Sequence, residues 1–202
     1  GVGFARRAPG GQNRAMAPLG PETKYQLLIE VSRKISRTLD LLELLDQILD
    51  SVRRAIPYDA AGIFVLHESV PLAPGPAANL IAGMASVGFD FSPGSDPMLR
   101  SGQGIVGHVI RTAETVLAPD ARRDPRYVAG RASTRSEVAV PIVSNEQVIG
   151  ALNLESDREG TFTEADAELL QFFAVAAAIA IEKALLHRQV LEKQRIESQL
   201  RI

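Results

Sequence analysis

Side chains that could do chemistry are few in this chain of 202 residues, and they form no recognisable catalytic set. Cysteine is absent, which excludes disulfides, thiolate metal sites and cysteine nucleophiles. Asp120, Asp124 and Glu155 are the carboxyl groups that could be offered as a catalytic set, but no nucleophile–base pair accompanies them. The sequence therefore predicts that the chain is not an enzyme.

Metal or haem binding would depend on histidine, and the chain has only His67, His108 and His187. These three residues lack the paired spacing of a metal site. His108 follows a Gly-Ile-Val-Gly turn and could be a haem or metal ligand. Because His108 has no partner in the sequence, haem or metal binding is the less favoured interpretation.

Composition limits the class of partner. The formal net charge is −2 with 46% hydrophobic residues, so nothing indicates a nucleic acid. The longest apolar run, residues 172–181, is half the roughly 20 residues that a membrane span needs. No signal-peptide pattern opens the chain, and a cytoplasmic location is expected. Residues 1–22 combine Gly, Pro and Arg, which predicts a disordered linker.

The segment 136–166 organises the predicted fold. Apolar residues alternate in 138–142 and in 148–154, separated by the polar Ser144–Gln147, which predicts an antiparallel hairpin. The second strand is apolar on both faces, as in a central strand, and Gly150 would allow another element to approach closely. Thr163 and Asp166 resemble a capping box and predict the start of a long helix.

Helical periodicity precedes the sheet. Apolar residues at steps of three and four predict two helices, Thr23 to about Arg37 and Asp40 to Ile56, with Asp40 as the N-cap of the second. The first helix either packs on the sheet or meets its copy in a dimer. Strands are predicted at 60–67, 79–87 and 115–117, a short helix at 105–111, and loops at 88–101 and 120–135.

These elements resemble the GAF domain family of small regulatory sensor modules. The resemblance covers about Tyr25 to Leu186 and is carried by residues 102–109, 124–127, 138–142, 148–154, 162–166 and 169–186. It implies an α+β (GAF/PAS-like) fold, with a central antiparallel sheet of about six strands flanked by helices and long N- and C-terminal helices. It also implies a GAF domain at 23–186 and a coiled-coil-like helical linker at 187–202 leading towards an output domain.

In GAF modules the ligand lies between one sheet face and the helix and loops that follow the third strand. That resemblance implies eight ligand-binding candidates, each of which could instead be ordinary core: Phe89, Phe91, Ile105, Val106, His108, Tyr127, Ser136 and Val138.

The resemblance does not identify a cofactor. Members that bind cyclic nucleotides share a pattern in which Asn153, Phe162 and Asp166 match, but Leu154 and Ala167 replace its Lys and Glu. Cyclic nucleotide binding is therefore doubtful. A cysteine-linked bilin lacks support, and the cysteine chemistry of free-methionine-sulfoxide reductases is excluded.

Two functions remain open at this point. The preferred one is a non-enzymatic sensor that dimerises through its terminal helices and regulates a phosphatase, histidine kinase or diguanylate cyclase. The alternative is a ligand-free dimerisation or protein-interaction module. Neither function involves a nucleic acid or a membrane.

Overall fold

A computed structural model of the chain describes residues 40–66, 80–89, 99–100 and 102–199, together with residues 22, 26, 29–31 and 33. Three helices and six strands lie in the continuous parts, and a 3₁₀ turn spans Ala121–Arg123. Their bounds are α1 Leu41–Ala55, β1 Ala60–Leu66, β2 Leu80–Val87, β3 Leu99–Arg100, α2 Gly104–Thr112, β4 Val116–Ala118, β5 Ser136–Ser144, β6 Gln147–Ser156 and α3 Glu164–Gln199.

The strands form one sheet in the order β3-β2-β1-β6-β5-β4, and every neighbouring pair is antiparallel. The predicted α+β architecture with about six strands and a long C-terminal helix is confirmed. One detail differs, because β3 lies inside the segment 88–101 that was predicted to be a loop. Two residues of that segment pair with β2, and so short a strand leaves no periodic pattern to detect.

The β5–β6 hairpin has a tighter turn than its polar tetrapeptide suggests. Ser144 already pairs with Gln147, and only Asn145 and Glu146 form the turn. Both have positive φ, 49° and 63°, as a type I′ turn requires. Gly150 on β6 faces β1 so closely that a β-carbon would lie 2.1 Å from the carbonyl oxygen of Phe64, which explains the glycine.

Side-chain caps fix the starts of two helices where the sequence predicts them. The backbone N–H of Glu43 donates to the Asp40 carboxylate at 3.1 Å and begins α1. At the start of α3, the N–H of Thr163 donates to Asp166 Oδ2 at 2.9 Å. The Asp166 N–H in turn donates to Thr163 Oγ1 at 3.3 Å, which completes a capping box.

The two faces of the sheet carry separate cores. Helices α1 and α3 cover one face, where Val138, Val140 and Leu152 are fully buried. Helix α2 covers the other face, where Phe64, Ala139 and Ala151 belong to a smaller core. Successive residues of a strand point to opposite faces, so each strand supplies both cores.

The first predicted helix, Thr23 to about Arg37, and the predicted disordered linker at 1–22 lie largely outside the described residues. The described positions between 22 and 33 are helical, and Val31 is buried in the α1–α3 core. Glu30 forms an ion pair with Arg54 of α1 at 2.9 Å. The interpretation in which this helix packs on the domain therefore has support at these residues.

Helix α3 is 36 residues long, and only its first half packs against the sheet, up to Ile181. By length and composition it is apolar enough to cross a membrane, but half of its most apolar window is buried inside the domain. A core helix of a globular domain passes the same test. Its exposed apolar side chains are Phe172, Val175, Ile179, Leu186, Val190, Leu191 and Ile196.

Candidate functional site

A cavity of about 50 Å³ lies between the sheet and α2. Its walls are mostly apolar and come from β1, from the residues just after β2, from α2 and from the loop before β5. Three polar side chains on β5 and β6 also line it. The lining includes Phe64, Phe89, Ile105, Val106, Glu137, Asn153 and Glu155.

The polar side of the cavity is set by strand register. Glu137 and Glu155 are direct partners across the antiparallel β5–β6 pair. Asn153 lies two residues before Glu155 on β6 and therefore on the same face of the sheet. All three are almost completely buried, with 3%, 4% and 2% of their surface exposed. Two carboxyl groups are thus held side by side away from water, an arrangement that is unfavourable unless protons or partners compensate.

Hydrogen bonds join these groups into one network. The Asn153 amide donates from Nδ2 to Glu137 Oε1 at 3.1 Å and more weakly to Glu155 Oε1 at 3.4 Å. The Thr134 hydroxyl donates to Glu155 Oε2. Among the described residues Asn153 Oδ1 has no hydrogen-bond partner although it is buried. The network therefore leaves one buried acceptor unsatisfied.

Burial changes the acidity of both carboxyl groups. Burial first, and the nearby charge of Glu155 second, raise the pKa of Glu137 to about 8. Burial also raises the pKa of Glu155, opposed mainly by the Thr134 hydrogen bond and the Arg131 charge. Near neutral pH the pair therefore retains a proton, because two adjacent buried carboxylates cannot both ionise at low cost.

The loop of residues 120–135 is tied down by its own arginines. The Arg122 guanidinium donates to the carbonyl oxygens of Ala132 at 2.6 Å and Thr134 at 3.2 Å. Arg126 pairs with Asp124 at 2.6 Å, and this pairing holds the pKa of Asp124 below its ordinary value. The loop thereby holds Thr134 against Glu155.

Three of the predicted ligand-binding residues line the cavity: Phe89, Ile105 and Val106. Tyr127 packs against the α2-side core, and its hydroxyl donates to the Arg131 carbonyl at 3.3 Å. His108 is half-buried on α2 and is not part of the lining.

The remaining predicted residues lie elsewhere. Val138 belongs to the core on the opposite face of the sheet. The Ser136 hydroxyl donates to the Arg158 carbonyl at 2.7 Å, so it supports the chain after β6. Phe91 lies outside the described residues.

Sequence reasoning missed Glu137 and Asn153 as lining residues and considered Glu155 only with Asp120 and Asp124. The sequence signal that could have found them is the presence of polar residues, Glu137 on β5 and Asn153 and Glu155 at alternate positions of β6, in strands that are otherwise largely apolar. Asp120 and Asp124 pair instead with Arg123 and Arg126 in the loop. The described residues contain no group of three His, Asp or Glu side chains placed to hold a metal ion.

An antiparallel sheet with helices on both faces and a small cavity beneath the short helix α2 is the arrangement that the family resemblance implied. The GAF domain family model matches residues 40–181, well over half of the chain. The chain belongs to the GAF domain family, whose members act as sensor and regulatory modules. The predicted membership of the GAF domain family is confirmed.

Similar proteins differ in what they do. The chain is 35% identical over 79 residues to the free methionine-R-sulfoxide reductase of Saccharomyces cerevisiae, covering 38% of this chain and 43% of that protein. It is 30% identical over 187 residues to the dual 3′,5′-cyclic-AMP and -GMP phosphodiesterase 11A of Takifugu rubripes, covering 83% and 20%. The chain spans less than half the length of the curated relatives it matches.

A solved structure shows the same fold. The free methionine-R-sulfoxide reductase from Neisseria meningitidis, in complex with its substrate, superposes with a TM-score of 0.67 at 19% identity. The match covers 81% of this chain and 91% of that one.

The prediction that the chain is not an enzyme, made because the sequence shows no catalytic set, is wrong, because similar proteins are enzymes. Reductases are among its relatives in sequence and in structure, so a GAF domain does not imply a non-enzymatic protein. The absence of cysteine excludes only reactions that need a thiol of this chain.

Proposed function

We propose that the chain is a small-molecule-sensing module whose ligand occupies the cavity beneath α2. The observation that carries this proposal is the buried pair Glu137–Glu155 facing that cavity. Buried ionisable pairs contribute little to stability, and apolar residues of similar size would often make a fold more stable. Groups retained against that cost are expected at functional sites.

The connection between cavity and exit helix supports a regulatory role. Glu137 is the second residue of β5, and Ser144 is the last. The Ser144 hydroxyl and the Asn145 amide both donate to the carboxylate of Glu182 on α3, the amide at 3.0 Å. A ligand that displaces β5 would therefore change the packing of α3, which leads out of the domain. We propose that this movement regulates a C-terminal phosphatase, histidine kinase or diguanylate cyclase in the cytoplasm.

The exposed side of α3 supports dimerisation through a coiled coil. Phe172, Val175, Ile179 and Leu186 are about half exposed and follow steps of three, four and seven residues. Val190, Leu191 and Ile196 are also about half exposed and extend the apolar surface along the same helix. We propose that a second copy covers this stripe.

Native mass spectrometry of the protein purified from cells tests both parts of the proposal. We expect the mass of two chains plus a small molecule, and we expect the Glu137→Gln variant to lose the small molecule while remaining a dimer. Glu146→Gln, in the exposed hairpin turn, is the matched control. Wild-type protein that carries no small molecule, and whose melting temperature no metabolite changes, would contradict the sensing role.

A ligand-free dimerisation or interaction module is the second candidate. The observation in its favour is the small volume of the cavity, since drug-sized ligands occupy pockets of roughly 300–1,000 Å³. The same mass spectra decide between the two, because this candidate requires a dimer with no added mass.

A further inference from the structure

The cavity presents hydrogen-bond acceptors and no positive charge. Glu137, Glu155 and Asn153 line it, and the one buried atom of this network without a partner is the acceptor Asn153 Oδ1. Among the described residues, no lysine or arginine belongs to the lining. A ligand that satisfies such a surface must bring donors, and it gains most if it also brings a positive charge.

The charged groups around the pair do not remove this need. In the loop before β5, Asp124 and Tyr127 lie nearby. The Arg131 guanidinium lies 3.0 Å from the Asp157 carboxylate, and this ion pair occupies its charge although the geometry at Nη1 is not that of a hydrogen bond. The elements packed over the pair, β1 and α2, contribute Phe64, Ile105 and Val106 to the lining, all apolar. Arg131 lowers the pKa of Glu155 and Asp157 raises it, so burial remains the largest influence on the pair.

We propose that the cavity binds the primary ammonium group of a small organic cation between Glu137, Glu155 and Asn153 Oδ1, and that binding displaces the proton carried by one of the two carboxyl groups. The inference rests on the proposed ligand-binding role of the cavity and names the class of ligand. An ammonium has three donors and no acceptor, which matches three acceptor groups. The volume of about 50 Å³ restricts the buried part to the ammonium and a few carbon atoms.

The proton balance follows from charge. Without ligand, one carboxyl group is protonated and the other is a carboxylate. The incoming ammonium keeps its own protons, and the carboxyl proton leaves to solvent, so one proton is released for each cation bound. Burial raises the pKa of Glu137 to about 8, which places this exchange in the neutral range.

Isothermal titration calorimetry of the full chain with methylammonium and propylammonium chloride tests the inference. Titrations at pH 7 in phosphate and in HEPES, whose ionisation enthalpies differ, should show release of close to one proton per ammonium bound. Because the proton competes with the cation, the affinity should rise roughly tenfold per pH unit between pH 6 and 8. Propanol and propionate, of similar size but without a positive charge, should not bind.

Variants separate the carboxyl pair from general effects. Glu137→Gln should weaken ammonium binding at least tenfold and abolish proton release, and Glu146→Gln should change neither. If Glu137→Gln fails to fold, the pH dependence of the wild type alone decides the question. Equal binding of propanol, or ammonium binding without proton release, would overturn the inference.

The two proposals can fail separately. A neutral or anionic molecule retained by the purified protein, with no binding of the ammonium probes, would refute the cation inference and leave the sensing role intact. Absence of any retained molecule together with absence of probe binding would refute both.

Discussion

Glu137 is a residue whose burial is costly for folding and for which we propose a role in binding. It faces Glu155 directly across two central strands, at a position where like charges oppose pairing. Its bond to the Asn153 amide favours the charged form, yet burial and the second carboxyl group outweigh this and raise its pKa. The folded state therefore holds a proton that the unfolded chain releases at lower pH.

This property predicts how stability depends on pH. The pKa of Glu137 is raised from 4.5 to about 8 in the folded protein. The stability that its protonated form contributes is therefore complete below pH 4.5 and is lost as the pH rises through 8. We expect the free energy of unfolding to fall by a few kcal/mol between pH 5 and 8. Urea denaturation at several pH values measures it.

In Glu137→Gln this decrease should be much smaller, since the amide does not titrate. Glu146→Gln is the control, and it should keep the wild-type pH dependence because Glu146 is exposed. Identical slopes for wild type and Glu137→Gln between pH 5 and 8 would show that Glu137 is ionised in the folded protein.

Among the secondary-structure elements, the β5–β6 hairpin and α3 are the pair on which the site depends. The hairpin supplies all three polar residues of the cavity lining, and its turn also donates two hydrogen bonds to Glu182 of α3. Helix α3 covers the opposite face of the same strands. The hairpin therefore contacts both the cavity and α3.

The start of this helix depends on its capping box. Thr163→Ala removes the hydroxyl that accepts the Asp166 N–H, so the free energy of unfolding should decrease by about 1 kcal/mol. Thr163→Ser keeps the hydroxyl and should recover most of the loss. Chemical denaturation of the three proteins gives the comparison, and equal stabilities would mean that water replaces the cap.

For the whole molecule, the decisive feature is the contrast between the two halves of α3. Its first half is buried against the sheet on one side, while an apolar stripe remains exposed on the other and continues beyond the domain. Several large apolar side chains exposed along one helix are typical of a protein interface. A second copy bound there would place two exit helices side by side.

Charge on the stripe should separate the copies. The double change Val175→Glu and Ile179→Glu places like charges across the proposed interface, and sedimentation velocity should then show a monomer at concentrations where the wild type is a dimer. Both side chains are about half exposed, so the domain should remain folded. Ser133→Glu adds charge at an exposed position of the loop before β5, outside α3, and should leave the dimer unchanged. A wild-type monomer would refute the proposed interface.

Local signals were sufficient for much of the fold. The caps at Asp40 and Thr163, the alternation in β5 and β6 and the close approach at Gly150 are predictable because each depends on neighbouring residues or on a single backbone contact. The division into domains at 1–22, 23–186 and 187–202 stays a prediction. The two-residue strand β3 was not predictable, since pairing with β2 alone defines it.

The polar side of the cavity could be recognised only from the tertiary structure. Glu137 and Glu155 are eighteen positions apart, and only the register of the hairpin makes them partners. Local patterns also do not tell which of Val138 and Glu137 faces the cavity. Adjacent strand residues point to opposite faces, and the placement of α1, α2 and α3 decides which face holds a cavity. Helix starts and strand alternation follow from short-range hydrogen bonding and side-chain polarity, whereas a binding site follows from long-range packing.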